Sequence, residues 1–449
     1  MLTVQQVIDR LTLGAAPGLT DTLPGPTAEG WIETQLRPGA EPAALAAALA
    51  GLDAVSLDPS QLLARYRLPQ DARQDPDARR QFQMDKRGLY RQSVQARLMV
   101  GVSSPWQLRE LLVDFWFNHF NIFAHKEACA LWIGAFERQA IRPHVLGRFE
   151  DLLLATARHP AMLTYLDNRL NSAPGLQGAR GTPSGFNENY AREVMELHTI
   201  GLHYTQADVV GATHLLTGWG VDGQGDFRFF PRRHDFDPQI ILGRRFDGGE
   251  DAIVAFLRLL AGHPDTARHV AFAMAQYFAA DAPPPSLVRD MAARFLATGG
   301  DLRAVTGAMI AHPEFAAAAA RRDKFRTPYR YVMALLRASG RTPDRSQPLI
   351  GSLNQLGQPL YGCVQPNGWA CTQAEWLSAD ALAARVNFAV ALGGGWMAID
   401  SRFPHGQAVA MDQVAETIAA PARLRAAAAA APAHLQAAVL LGSPQMQYC

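Results

Sequence analysis

The sequence predicts a mainly α protein: a compact multi-helix body with one small β-hairpin element near 218–247. Three observations predict it. Apolar residues recur three and four apart through most of the chain. His159-Pro160, His263-Pro264 and His312-Pro313 each close one apolar run and open another, with proline at the first position of the next helix. Only 218–247 departs from this pattern, with a Gly-rich turn between short aromatic and β-branched runs.

In chain order, 43–52 is an Ala/Leu-rich helix, and 61–100 reads as one or two helices broken near Pro69 and Pro76. Helical spacing then marks 106–123, 144–158, 161–170 and 187–200. After the hairpin it marks 250–261, 266–280, 286–297, 301–311, 328–338 and 380–391. Loops rich in Gly and Pro fill 14–29, 171–186, 281–286 and 340–370. None reads as a long linker. The expectation is one helical domain over 1–449, with an N-terminal subregion 1–100, a motif region 101–217, the hairpin and a C-terminal helical region 248–449. The His-Pro junctions are unequally spaced and form no repeat.

The chain has 449 residues, 48% hydrophobic and 18% charged, with a net charge of +1. That balance fits a large soluble globular protein. It argues against a globally basic nucleic-acid binder and against an acidic disordered chain. Residues 65–97 hold nine Lys/Arg and four Asp. That run reads as a solvated helical face, because no nucleic-acid motif accompanies it. No stretch of about 18 strongly apolar residues offers a membrane span. The nearest, 425–440, contains Pro432, His434 and Gln436. Asp9 and Arg10 interrupt the N-terminal run before it reaches signal-peptide length, so the expectation is cytoplasmic.

Four cysteines in 449 residues make no disulfide scaffold. Cys363 and Cys371 share one loop, and two free thiols are the leading reading over a local disulfide or a metal site. The chain has no GxSxG elbow, phosphate-binding GxxxxGK loop, HExxH or dinucleotide fingerprint.

Two polar stripes stand out. In NENYAREVMELHTI (187–200), a helical projection puts Glu188, Asn189, Arg192, Glu193 and Glu196 within one arc of about 140°. Two readings stand. One is an amphipathic surface helix with i,i+4 pairs Glu188–Arg192 and Arg192–Glu196. The other is a buried polar face, where carboxylates bind a divalent cation or divide into an acid and a base. Arg192 would then orient them or clamp an anion. In PWQLRELLVDFWFNHFNIF (105–123), Glu110, Asp114, Asn118 and Asn121 follow spacings of four, four and three, and His119 lies among aromatics. This helix is apolar almost all round, so its polar residues must find partners inside. Asp167, Asn168 and Asn171 end a third apolar segment. The 172–185 loop then leads into Asn187 and would suit a lid. Arg232 and Arg233 of the hairpin region could hold an anion, with interleaved aspartates giving a salt-bridged surface as the other reading.

DFWFNHFNIF, HPAMLTYLDN, NENYAREVMELHTIGLHYTQADVVGATHLLTGW and FFPRRHDF…ILG resemble the bacterial family catalogued as domain of unknown function 1800. So do LGQPLYGCVQPNGW…WLSADALAARVNFA and LLGSPQMQ. The likeness runs from about residue 6 to 447. It implies a mainly helical fold and supplies no reaction. It also implies a companion protein from the family domain of unknown function 1501, and a periplasmic location for those relatives that carry export signals.

The expected site lies between helices 106–123 and 187–200. His119, Asp114, Glu193, Glu196 and Arg192 are its catalytic candidates, with His119 the titrating base. Asn118, Asp167, Asn168, Asn187, Asn189, Arg232 and Arg233 are the substrate-binding candidates, and Glu188 with Glu193 the metal ligands. The expected reaction class is hydrolysis or group transfer, with or without a metal. The alternative is a non-catalytic assembly or binding protein in which these residues form a structural network.

Overall fold

The structure, a computed structural model, describes residues 2–19, 27–68, 71–176 and 185–449. Helices dominate it. The described strands form two separate two-stranded antiparallel sheets. No helix of the described residues is long and apolar enough to cross a membrane.

The 28-residue helix Pro76–Ser103 starts where Asp75 accepts from the Asp77 amide and Pro76 occupies the first turn. It leads into Gln107–His119, whose Leu108, Leu111, Leu112 and Trp116 are fully buried. Continuous apolar sequence there means burial on all sides, as the pattern requires. Around it pack Cys129–Phe136, Phe149–Arg158 and Pro264–Phe278 in one hydrophobic core.

The His-Pro junctions have a common mechanism. The imidazoles of His159, His263 and His312 each accept from the backbone N–H two residues on, all at 3.2 Å. Each histidine therefore plays the N-cap role usual for Ser or Asp, while the following proline needs no partner for a missing N–H.

The region 218–247 holds two hairpins rather than one. Trp219–Val221 pairs with Phe227–Phe229, and Gln239–Ile241 pairs with Arg244–Phe246. The second turns on Leu242 and Gly243, with φ of 50° and 73°. Positive φ at both central residues suits a two-residue hairpin turn, and leucine is a poor candidate for it from sequence. Asp208 supports the turn by accepting from the Leu242 N–H at 2.6 Å.

Two helices end earlier than their apolar periodicity. The expected 106–123 helix stops at His119, and Asn121 reaches beyond its end. The expected 187–200 helix is Asn189–Glu196. There the Thr199 hydroxyl donates to the Val194 carbonyl at 2.6 Å, and the His198 amide to that of Glu193 at 3.1 Å. These bonds close the helix in a wide final turn.

Candidate functional site

The two stripes do face inward at several points, but they do not gather into one acidic hollow. Asp114 lies in a largely buried ion network. Arg97 donates to Asp114 at 2.6 Å and to Glu137 at 2.9 Å. Arg142 joins Glu137 at 2.9 Å and Glu110 at 2.7 Å. Tyr277 and Tyr361 donate their hydroxyls to Asp114 and Glu137 at 2.7 and 2.8 Å. The Arg97 guanidinium also lies 5.2 Å from the Phe117 and Tyr329 ring centres. A π-helical turn over Glu137–Ile141 bonds the Arg142 amide to the Glu137 carbonyl, five residues back, so Arg142 stacks directly above Glu137. Burial opposes ionisation of Glu137, but the Arg97 and Arg142 charges outweigh it and lower its pKa. The adjoining cavity is about 30 Å³, the size of one water. Asp114 is thus bonded on both oxygens, to Arg97 and Tyr277. Arg97, counted with the solvated 65–97 face, belongs to this core.

The open space lies one turn further along. A cleft of about 730 Å³ runs between the end of Gln107–His119, one face of Pro264–Phe278 and the 362–371 loop. His269, Ala273 and Gln276 line it at i, i+4 and i+7 of one helix. That spacing, with a histidine and a glutamine on an apolar stripe, is the signal by which sequence reading could have found this wall.

His119 and His269 form the floor. His119 Nε2 stands 3.1 Å from the His198 carbonyl, and His269 Nε2 stands 3.1 Å from the Leu197 carbonyl. Each ring therefore donates Nε2–H, and its Nδ1 is left as the acceptor. Together they meet two successive carbonyls just beyond the end of Asn189–Glu196, where a helix lacks internal donors. Burial, with a smaller contribution from His269, lowers the His119 pKa to about 3, and burial lowers that of His269. A pKa lowered this far leaves His119 uncharged at neutral pH. His198 is a core residue, and its Nε2 has no partner.

The opposite wall, 362–371, is fixed by amides. Asn118 donates to the Trp369 carbonyl at 2.8 Å and accepts from its N–H at 2.7 Å. Asn121 donates to the carbonyls of Cys363 and Gln365 at 3.1 and 2.7 Å. Tyr165 donates to the Val364 carbonyl at 2.7 Å. Gly368, at φ 71°, leaves no room for a Cβ against the Asn118 carbonyl. Asn118 therefore positions the wall, with one donor and one acceptor of its amide committed to Trp369. Cys363 and Cys371 are free thiols on this loop.

The second stripe divides. Glu188 pairs with Arg192 at 3.0 Å, and Gln206 bridges both at 3.0 Å. Glu196 accepts from the Tyr204 hydroxyl. These are surface links that fasten Asn189–Glu196 to Gln206–Leu215, so Arg192 and Glu196 are not gathered with His119. Glu193 differs. It is half-buried, it has no hydrogen-bond partner, and burial followed by the neighbouring Glu196 charge raises its pKa. It sits one turn before Leu197, a cleft-lining residue, on the same helix face. It also lies near enough to raise the pKa of Tyr165, which holds the loop at Val364.

The remaining candidates lie elsewhere. Asp167 pairs with Lys126 at 2.8 Å. Buried Asn168 donates to the carbonyls of Leu216 and Trp219, both at 3.2 Å. Asn187 accepts from the Asn189 amide at 2.9 Å and so opens the helix, while the Asn189 side chain is unpartnered. Arg233 is fixed on the carbonyls of Arg169 and Asn171 at 2.5 and 3.2 Å, and Arg232 is exposed. The 172–185 lid falls largely on 177–184, outside the described residues. For a divalent cation, Glu188 is already bonded to Arg192 and Gln206. No group of three His, Cys, Asp or Glu residues able to hold a metal occurs among the described residues.

Fold and cleft together define a mainly α protein with an open cleft walled by a pinned loop. Residues 6–448 match the family model described as Protein of unknown function (DUF1800), and the chain belongs to that family. No curated protein and no solved structure matches it.

Proposed function

We propose that the cleft is the active site of a hydrolase or group transferase in which Glu193 is the proton donor. One observation carries the reading. Glu193 is a half-buried carboxyl without a hydrogen-bond partner and with a raised pKa, one helical turn from the cleft-lining Leu197, while Asp114 and Glu137 are paired with arginines. A carboxyl that keeps its proton toward neutral pH suits general-acid work. His119 and His269 supply fixed, uncharged rings. Asn118 and Asn121 hold the loop that completes the wall.

The assembly reading applies to different residues. The network of Arg97, Asp114, Glu137, Arg142 and Glu110 is a largely buried polar core that fixes helix packing. A companion from the family domain of unknown function 1501 remains part of this proposal as a partner of the whole protein.

The test uses chromogenic p-nitrophenyl esters, phosphates and glycosides with the full chain and Glu193→Gln. The expected result is turnover of one class that falls about 10²-fold or more in the variant, with melting preserved. Turnover indifferent to Glu193→Gln, or none across the panel, removes the catalytic reading.

A further inference from the structure

We infer that the cleft takes an uncharged saccharide, stacked on Trp369. This rests on the cleft being the site and adds the class of its ligand. Three observations converge. First, the cleft presents the Trp369 indole and the Phe115 ring, and no Lys or Arg lines it. A guanidinium or ammonium is the usual partner of phosphate, sulfate or carboxylate ligands, so an anionic ligand would meet no counter-charge. Second, the exposed side chains of Gln365, Asn367 and Glu375 line the same cleft and make no hydrogen bond within the described residues. Two amides and a carboxylate offer donors and acceptors together, which is what vicinal hydroxyls need. Third, the Trp369 backbone is held in place and a second indole neighbours its ring. Asn118 clamps the Trp369 backbone at both N–H and carbonyl, and the Trp376 ring packs 6.0 Å away with its own N–H on the Ala370 carbonyl.

A sugar ring has an apolar C–H face and a polar rim. The Trp369 indole receives the face, and the amides and Glu375 receive the rim. The cleft volume of about 730 Å³ falls within the range usual for small-ligand sites. Pre-set wall geometry lowers the ordering cost of binding.

The experiment titrates the full chain with maltohexaose, cellohexaose, chitohexaose and oligogalacturonate, read by tryptophan fluorescence and calorimetry. One neutral oligosaccharide is expected to saturate the site, and Trp369→Ala weakens it at least tenfold. The oligogalacturonate is expected not to bind. If Trp369→Ala lowers the melting temperature, the paired change Gln365→Ala with Asn367→Ala, which touches only unpartnered side chains, gives the same readout. The inference is overturned if no neutral sugar binds, if the anionic one binds equally, or if tetramethylammonium occupies the cleft instead. Ester or phosphate turnover lost in Glu193→Gln, without sugar binding, sinks the saccharide alone. Sugar binding with turnover indifferent to Glu193→Gln sinks the acid role alone.

Discussion

Asp114→Ala is expected to destabilise the protein by about 3–5 kcal/mol, the cost of leaving a buried charge without its partner. The Arg97 side chain is 4% exposed and draws on Asp114 and Glu137. Glu137 is already shared with Arg142 at 2.9 Å, so it cannot absorb the second charge alone. The Tyr277 hydroxyl loses its acceptor as well. A chain of 449 residues has an unfolding entropy of about 0.9 kcal/mol/K, so the melting temperature should fall by about 3–5 °C. Asp114→Asn, which preserves shape and one acceptor, should lie between. The combined change Arg97→Met with Asp114→Leu should recover much of the loss, since an apolar replacement of both partners leaves no orphaned charge. Calorimetry on the four proteins checks this. An Asp114→Ala protein that melts with the wild type would mean that water reaches Arg97.

Asn118→Ala carries the second large effect. It removes both bonds to Trp369, leaving one N–H and one carbonyl in a part-buried loop without protein partners. The expected cost is about 2–4 kcal/mol, less what solvent returns. The sharper consequence is local. The 362–371 wall should loosen, seen as faster amide exchange at 362–371 and a shifted Trp369 emission, while the Arg97 core stays protected. Asn118→Asp keeps the acceptor for the Trp369 N–H and should lose about half as much. Gly368→Ala should mimic the local loosening through its positive φ and its clash with Asn118. Unchanged exchange in the loop of Asn118→Ala would show that Asn121 and Tyr165 suffice to hold it.

Much of this was legible in the residues, and the misreadings have physical causes. Spacing of four, four and three marks Glu110, Asp114, Asn118 and Asn121 as one inward stripe, and aromatic density shows that it is buried. Spacing does not say what each polar group meets. Asp114 meets Arg97 from the preceding helix, which the local charge count had assigned to a solvent face. Asn118 and Asn121 meet backbone of a loop about 250 residues away, and nothing local encodes that. Periodicity marks 266–280 as a helix, yet His269 draws notice only once the carbonyls of Leu197 and His198 lie beside it and its neighbour His119. The single expected hairpin becomes two because Leu242 takes a left-handed turn that Asp208 supports. Of the two expected i,i+4 pairs Glu188–Arg192 forms, Glu196 takes the Tyr204 hydroxyl instead of Arg192, and Glu193 is left without a hydrogen-bond partner.

The most direct measurement is the melting of wild type and Glu193→Gln from pH 5 to 8. A carboxyl with a raised folded pKa binds its proton more tightly folded than unfolded. Its ionisation therefore removes stability as pH climbs from the ordinary glutamate range through the raised value. Glutamine has no such loss. The account predicts that Glu193→Gln becomes increasingly more stable than wild type with rising pH, then holds a constant lead. A pH-independent difference, or a lead that shrinks as pH rises, would mean that Glu193 is solvated or paired and is not the proton donor.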